Sequence, residues 1–519
     1  MRVFNINKAV GYASSGVEYA QKYRREALTG IDGIEDCYVF TDYLATNVAV
    51  FTDRLGFPRA DVLWIYNLLS GRATLPCTLR VEDFVAQIGQ PHTAPQGVGD
   101  FIEVTLLDSP VRYRIRTVAG ADTEQRVDRV ETVLADQVVR VEHYDETLNN
   151  IEHFRENRLV RRVFYTPDGK VAAQQLYRER EIARTVITPA SPLYDRPTRP
   201  GRTRPTSFHG DVVLDGRSRF FQYVFAHLIS EPDDVVIVDR ALDVIDGIYP
   251  IIGDRRLYSV VHAEHFDHKL IDDGVLLWNN HYENVFTRPD LVDGLIVSTR
   301  RQKEVLEHQL AARGPAGELP VVCIPVGAIA EPATSPDYDP LALVTASRLA
   351  DEKHIDILIR AVDAARGRLP GLKLDIYGEG NRERLLAVIE ETRTQDCVRL
   401  MGHRELGGVL GSYALFVSAS TSEGFGLSLL EALGEGLPII GFDVDYGNRE
   451  MVEPGVNGRL IPWTNGDDDV AAMADAVVAV LTSGDLDAMR GQSLKRAEGY
   501  TVAHVRRLWE RLLKGEDRC

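Results

Sequence analysis

Residues Thr421–Pro438 read TSEGFGLSLLEALGEGLP. Two carboxylates, Glu423 and Glu431, flank a Gly424-Phe425-Gly426 turn that opens onto an apolar helix. Their offset of eight positions is a little over two helical turns, so the two side chains return to nearly one face. The turn presents free backbone N–H groups and a positive dipole end, a place for phosphate or another electron-rich group. Sugar and ribose hydroxyls are donors, and a carboxylate is their bidentate acceptor. One carboxylate then meets the far end of a bound ligand while the other stays beside the glycine turn. Taken alone, the spacing also describes an ordinary amphipathic helix with two solvated glutamates, so the surrounding segments decide.

Those segments alternate between short apolar runs and helical patterns. ALVTASRLADEKHIDILIRAV, LKLDIYGEG, VRLMGH, ALFVSAS and PIIGFDV supply five strands with helices between them, the pattern of a doubly wound parallel sheet. A second α/β rhythm starts the chain: strand Arg2 to Ile6, loop NKAVGYASSG, a helix from Val17 to about Leu28, a strand TDYL around Phe40 and one from Val62 to Tyr66. It resumes from Asp234 with DDVVIVDR, RRLYSVVHAEH, DGLIVST and a strand at Pro320 to Val326. In between, RVETVL, QVVRVEHY and LVRRVFYTPDGKVAAQQLY alternate with period two, the last around a Pro-Asp-Gly hairpin turn, which predicts inserted antiparallel sheet. The loop RPTRPGRTRP, Arg196 to Pro205, closes the insert. The expected division is therefore 1–78 with 206–330, a β-rich insert at 79–205, a second α/β domain at 331–498, and a terminal helix in 499–519.

A chain of 519 residues is too long for one core. Its net charge of −18 argues against a broad nucleic-acid face. Five cysteines (Cys37, Cys77, Cys323, Cys397, Cys519) are scattered singly, which points to free thiols in a reducing cytoplasm. MRVFNINKAV shows no secretory pattern, and no apolar run is long enough to cross a membrane. The last helix, Val502 to Leu513, carries Val505, Leu508, Trp509, Leu512 and Leu513 among arginines, and packing back across the domains is expected over membrane contact.

Ser347, Arg348 and Lys353 follow a strand and enter a helix, where a planar fork and a compact charge suit a diphosphate leaving group. The other reading, a solvated helix start, places cations at the disfavoured end of the dipole. Gly16, after Ser14 and Ser15, lets backbone approach a phosphate or sugar, or else a serine simply caps the helix. His262, Glu264, His265 and His268 follow a strand, but His262 and His265 are three apart and no third ligand is evident, so no metal is expected. His262 suits a sugar hydroxyl, or a satisfied core position. Gly378 and Gly380 in IYGEG, and His403 and Arg404 in MGHRE, end further strands where a base and ribose would lie. Asp467 to Asp469 reads as a solvated acidic turn.

Taken together, SSGVEYAQ, HAEHF, SRLADEKHID, IYGEG and STSEGFGLSLLEALGEGLP with GFDVDYGN resemble retaining glycosyltransferases of family 4, which have the two-domain GT-B fold. The opening FNIN…GYASSGVEYAQKYR and the β-rich insert look like the accessory-Sec branch, which adds N-acetylglucosamine to Ser/Thr of serine-rich bacterial adhesins. The resemblance implies two Rossmann-like domains facing a cleft. It implies Gly16, Val17, Glu18 and Tyr19 at the UDP diphosphate and sugar, Arg348 and Lys353 as the diphosphate clamp, and His403 and Arg404 beside the uridine. It further implies His262, Glu423, Gly424, Phe425 and Gly426 at the donor sugar, and Glu431 on the ribose. Arg348, Lys353, Glu423 and His262 would carry the chemistry, with UDP-GlcNAc as donor substrate and no metal. The acceptor would be a serine-rich polypeptide in the cytoplasm, with at most peripheral membrane contact, and a second glycosyltransferase-like subunit or another copy would dock on the insert. Two other readings stay open: glycosylation of an anionic wall polymer such as teichoic acid, with Arg196, Arg199, Arg202 and Arg204 as a polyanion tether, and a non-catalytic adhesin-binding partner.

Overall fold

The computed structural model describes residues 1–11, 16–120, 124–194, 207–208, 210–267, 276–312, 319–333, 335, 337–466 and 468–516. Ser14, Ser15, His268, Asp467, Cys519 and the loop carrying Arg196, Arg199, Arg202 and Arg204 lie outside the described residues. The chain divides into two compact units, Met1–Glu18 with Gly33–Ser259, and Tyr19–Asp32 with Val260–Cys519.

In the first unit, Val62–Trp64, Glu35–Phe40, Arg2–Asn7, Val235–Val238 and residues 256–259 lie side by side in that order, all parallel. The central strands are almost wholly buried, as expected for sheet covered on both faces. The order reverses between Arg2–Asn7 and Val235–Val238, so the loops that leave those strands open at the topological switch point. Two strands differ from the sequence reading. TDYL is not strand: Thr41 and Asp42 turn back to donate to the Lys8 carbonyl, and the strand is the preceding Glu35–Phe40, whose acidic start hides it. Val62 to Tyr66 is strand only to Trp64, because Ile65–Ser70 winds into a short helix that ends at left-handed Gly71.

Eleven strands between Gln96 and Asp215 form one antiparallel sheet in the same unit. Its period-two runs pair as hairpins. Arg158–Tyr165 and Val171–Arg178 join through the expected Pro-Asp-Gly turn, where the Thr166 N–H donates to the Lys170 carbonyl and Gly169 has φ +80°. Helix Val81–Gln87 covers part of the sheet, with Phe84 packed on Val104, Ile115, Val127 and Val130.

The second unit holds a parallel pair, Gly294–Val297 with Val321–Cys323, and a six-stranded parallel sheet. The sheet runs Val398–Gly402, Lys373–Tyr377, Asp339–Ala346, Tyr413–Ser418, Ile439–Phe442, Gly458–Ile461. Its first strand in sequence lies between the second and the fourth, so a switch point opens above Ala346 and Ser418. Helices Ile355–Arg366 and Asp468–Thr482 pack on the sheet through Ile355, Leu358, Ile359, Val362, Met473 and Val477.

The sixth strand was not expected, because GRLI begins with glycine and arginine and carries little apolar signal. Gly458 is required there, since a Cβ would lie 1.9 Å from the Ile439 carbonyl oxygen of the neighbouring strand. Gly458→Ala is therefore expected to lower stability by about 3 kcal/mol, the upper end of ordinary overpacking, read from the denaturation midpoint. The terminal helix Val502–Lys514 buries Val505, Trp509, Leu512 and Leu513. Within this unit it meets helix residues Arg24 and Ala27: the Arg24 guanidinium lies 5.2 Å from the Trp509 ring centroid, and Arg506 Nε donates to the Ala27 carbonyl at 3.0 Å.

Candidate active site

At the second-unit switch point two loops meet. One leaves strand Asp339–Ala346 and runs through Ser347 and Arg348 into the 3₁₀ turn Asp351–Lys353. The other leaves strand Tyr413–Ser418 and runs through Ser420–Gly426 into helix Leu427–Gly434. Lys353 joins them. Its Nζ donates to Glu423 Oε1 at 2.5 Å and to Ser420 Oγ at 3.1 Å, and lies 3.5 Å from the Ser422 carbonyl. Thr421 N–H adds a backbone bond to the Glu352 carbonyl at 3.4 Å. Both charges of the pair are mostly buried, with side chains 12% and 19% exposed.

Glu423 is held from behind by backbone. Its carbonyl accepts from the N–H groups of Tyr446 and Gly447 at 3.0 and 2.9 Å. Gly447 cannot bear a side chain, because a Cβ would lie 2.4 Å from the Phe425 carbonyl oxygen. Gly424 is as tightly placed, with its would-be Cβ 2.3 Å from the carbonyl oxygen of His262. Gly426, at φ +83° and ψ 68°, precedes the helix in a left-handed conformation that suits glycine.

The expected glutamate geometry needs correcting. The helix begins at Leu427, so Glu423 lies in the turn before it and only Glu431 rides on the helix; a shared helical face does not relate them. Glu431 Oε1 accepts from the Tyr23 hydroxyl at 3.2 Å. Burial pushes the Glu431 carboxyl up to about 7; the Tyr23 hydrogen bond and Lys22 oppose that rise, and Glu435 adds to it. Glu435, one turn on, is already occupied, accepting from the N–H groups of Gly408 and Gly411 at 2.6 and 2.5 Å.

Arg348 stands apart from the Lys353–Glu423 pair. Its side chain is 68% exposed and bonded to Glu352 at 2.9 Å. Neither cation starts a helix, because Ile355–Arg366 begins after left-handed His354, so the dipole objection to two basic residues there does not arise. The glycines of IYGEG fix this loop from below. Gly378 (φ +138°) and Gly380 (φ +142°) let the backbone pass so close to Ser347 and Leu349 that a Cβ would lie 1.8 and 2.6 Å from their carbonyl oxygens. Ser347 N–H donates to the Tyr377 carbonyl and Leu349 N–H to the Glu379 carbonyl.

Phe425 is buried against Gly327 and Tyr500, so its ring is core and only its backbone reaches the site. His262 is half-buried, and Tyr282 Oη accepts from the N–H groups of His262 and Ala263 at 3.0 and 3.2 Å. His265 is a core residue, its Nε2 2.8 Å from Gln309 Oε1. His403 and Arg404 are exposed after strand Val398–Gly402. Asp469 is not a solvated turn residue: it is buried and accepts from Thr464 and Gly466 ahead of its helix. In the first unit, Gly16 is open, a Cβ there meeting nothing within 4 Å, while Val17 and Glu18 are buried. Tyr19 belongs to the second unit, one helical turn before Tyr23.

Sequence reasoning missed Tyr23 and Glu435. A tyrosine pair at i and i+4 in SSGVEYAQKYR is the one local signal for Tyr23. Among the described residues no cluster of His, Cys, Asp and Glu could hold a metal ion, and no helix is long and apolar enough to cross a membrane.

The family description "Glycosyl transferases group 1" matches residues 340–483, the segment that carries both switch-point loops. A UDP-N-acetylglucosamine–peptide N-acetylglucosaminyltransferase GtfA subunit from Streptococcus gordonii is 35% identical over 99% of this chain and 98% of its own length. The crystal structure of the pneumococcal O-GlcNAc transferase GtfA in complex with UDP and GlcNAc has a TM-score of 0.89 at 33% identity, covering 100% of this chain and 99% of that one. A chain of the GtfA/B complex has a TM-score of 0.85 at 33% identity, covering 99% of each.

Proposed function

The chain belongs to the family of UDP-N-acetylglucosamine–peptide N-acetylglucosaminyltransferase GtfA subunits, which have the GT-B fold, and on that premise we propose that it moves N-acetylglucosamine from UDP-GlcNAc to Ser/Thr hydroxyls of a serine-rich polypeptide. The observation that carries this reading is the Lys353–Glu423 pair at the switch point, one turn of loop away from the helix that bears Glu431.

In this reading Lys353 and Arg348 meet the diphosphate, Glu423 with the backbone of Gly424, Phe425 and Gly426 meets the sugar, and Glu431 takes the ribose hydroxyls. His262 lies beside the sugar, while His403 and Arg404 flank the uridine. Tyr19 completes the diphosphate side. The bond between the anomeric carbon and the β-phosphate oxygen breaks, its electron pair leaves with UDP, and the acceptor hydroxyl bonds to the same face of the sugar and gives its proton to the departing β-phosphate oxygen. Charge grows on the leaving diphosphate in the transition state, and a prepositioned ammonium stabilises that growth most. Lys353 is prepositioned, because three oxygens already hold it. The donor arrives as its competitor for Glu423, so binding exchanges one anionic partner of Lys353 for another. These fixed charges do the work a divalent cation does in other sugar transferases.

The related GtfA forms a complex with GtfB, and this chain likewise works with a second glycosyltransferase-like subunit. The insert is its proposed dock, through the exposed edge strand Gln96–Val98. The reaction belongs in the cytoplasm, in keeping with the free thiols of Cys37, Cys77, Cys323 and Cys397.

The test is an acceptor assay with intact-mass readout. A serine-rich peptide incubated with UDP-GlcNAc is expected to gain N-acetylhexosamine units, and to gain nothing from UDP-glucose. Addition of EDTA is expected to leave the rate unchanged. Transfer to poly(ribitol phosphate) in place of the peptide would move the function to wall polymers. Absence of UDP release with every acceptor would leave a binding subunit.

A further inference from the structure

A hydrogen bond joins the first helix to the helix that follows the glycine turn. Tyr23 lies on Gly16–Leu28 and Glu431 on Leu427–Gly434, and the phenol donates to Glu431 Oε1 at 3.2 Å. Both ends are braced. On the tyrosine side, the next residue, Arg24, stacks on buried Trp509, and Arg506 bonds the Ala27 carbonyl. On the glutamate side, Leu427 and Leu430 close over Gly327, where even a Cβ would lie 2.6 and 2.9 Å from their methyl groups. Neither side chain drifts freely into this geometry. The helices impose it.

We propose that Tyr23 is a positioning residue for the donor: its hydroxyl anchors one oxygen of Glu431, fixes the rotamer of that carboxylate and holds it as the anion that receives the ribose hydroxyls. The inference rests on the reading of Glu431 as the ribose acceptor and adds a residue to it. A carboxylate has about four acceptor sites, so one phenol leaves room for a diol. Glu435 is held elsewhere, each of its oxygens accepting one backbone N–H, from Gly408 and Gly411.

The electrostatics give the proposal a signature. Burial holds the Glu431 carboxyl up at about 7, with Glu435 on its own helix pushing the same way. Tyr23 and Lys22, both on the first helix, pull it down, and Glu26 and Tyr19 are the other titratable groups near Tyr23. A carboxyl raised to about 7 loses its anion as pH falls through neutrality. Nucleotide affinity is therefore expected to weaken on acidification through that range. Tyr23→Phe removes a hydrogen bond to the charged form, so the inflection moves upward.

The experiment is calorimetric binding of UDP to the full chain between about pH 6 and about pH 8.5, for the parent chain, Tyr23→Phe and Glu431→Gln. For Tyr23→Phe we expect UDP affinity to fall by about tenfold near neutrality, the size of a hydrogen bond to a charged group, and to recover toward the alkaline end. The kcat at saturating UDP-GlcNAc is expected to stay within about twofold, with the loss appearing in KM. A Tyr23→Phe profile superimposable on the parent, or weakened equally at every pH, overturns the proposal. Glu431→Gln separates the two layers. If it binds UDP like the parent at every pH, Glu431 is not the ribose acceptor and the site reading itself fails; if it loses affinity while Tyr23→Phe does not, only the role of Tyr23 fails.

Discussion

Lys353→Ala is expected to lower kcat by about 10²–10³, the cost of deleting one prepositioned electrostatic contact to a developing negative charge. Lys353 bonds the loop that leads into the glycine turn at two points, Ser420 and Glu423. On the proposed function, deleting it removes the positive charge that faces the leaving diphosphate, and it leaves the Glu423 carboxylate without its ammonium partner. Both changes disfavour an anionic transition state, so the loss falls on kcat as well as KM. Lys353→Arg is expected to rescue little, because a planar fork cannot replace a compact ammonium where the native side chain is only 12% exposed. Arg348, 68% exposed and paired with Glu352, gives the contrast. Its replacement is expected to raise KM while leaving kcat closer to the parent. Steady-state UDP release with saturating peptide reads all three variants. A Lys353→Ala enzyme within about threefold of the parent would remove this residue from the chemistry, since even one general electrostatic donor is worth far more than that.

What made Lys353 and Glu423 legible in the sequence is that both sit in loops that leave apolar strands. Strand runs such as ALVTA and ALFVS announce themselves by burial, and the carboxyl ends of parallel strands are where doubly wound sheets keep ligands. Glycine legibility was partial. Gly424 and Gly426 stood out by their turn pattern, but nothing local marks Gly447 or Gly458, whose need for a missing side chain comes from a distant carbonyl. Pairing across the chain was invisible for the same reason. Tyr23 and Glu431 are 408 positions apart, and a helical pattern fixes which face a residue occupies, not which partner waits there. Arg348 was legible as a cation beside Lys353, whereas its bond to Glu352 required the 3₁₀ turn that no periodicity encodes. Phe425 shows the converse: between two glycines it reads as part of a ligand loop, while its ring is core.

Gly424→Ala is expected to lower kcat by about 10²-fold with the fold intact, because a shift of about 1 Å at the reacting centre is enough for that loss. The argument is steric. A Cβ on Gly424 would lie 2.3 Å from the His262 carbonyl oxygen, well inside any tolerated contact. Those atoms cannot yield. The backbone N–H groups of His262 and Ala263 are bonded to the Tyr282 hydroxyl, and the Ala263 carbonyl accepts from buried Gln302 at 2.9 Å. Nor can Glu423 retreat easily, since its carbonyl is held by Tyr446 and Gly447. The glycine turn must therefore move away from His262, carrying its N–H groups and Glu423 off the position that the proposed function gives to the donor sugar. Binding of UDP alone is expected to change less than turnover, because Glu431 and its helix stand on the far side of the displaced turn. Thermal denaturation in parallel shows whether folding is kept. Parent-like turnover in a folded Gly424→Ala enzyme would mean that the sugar does not lie against this turn, and would place the donor elsewhere along the same strand ends.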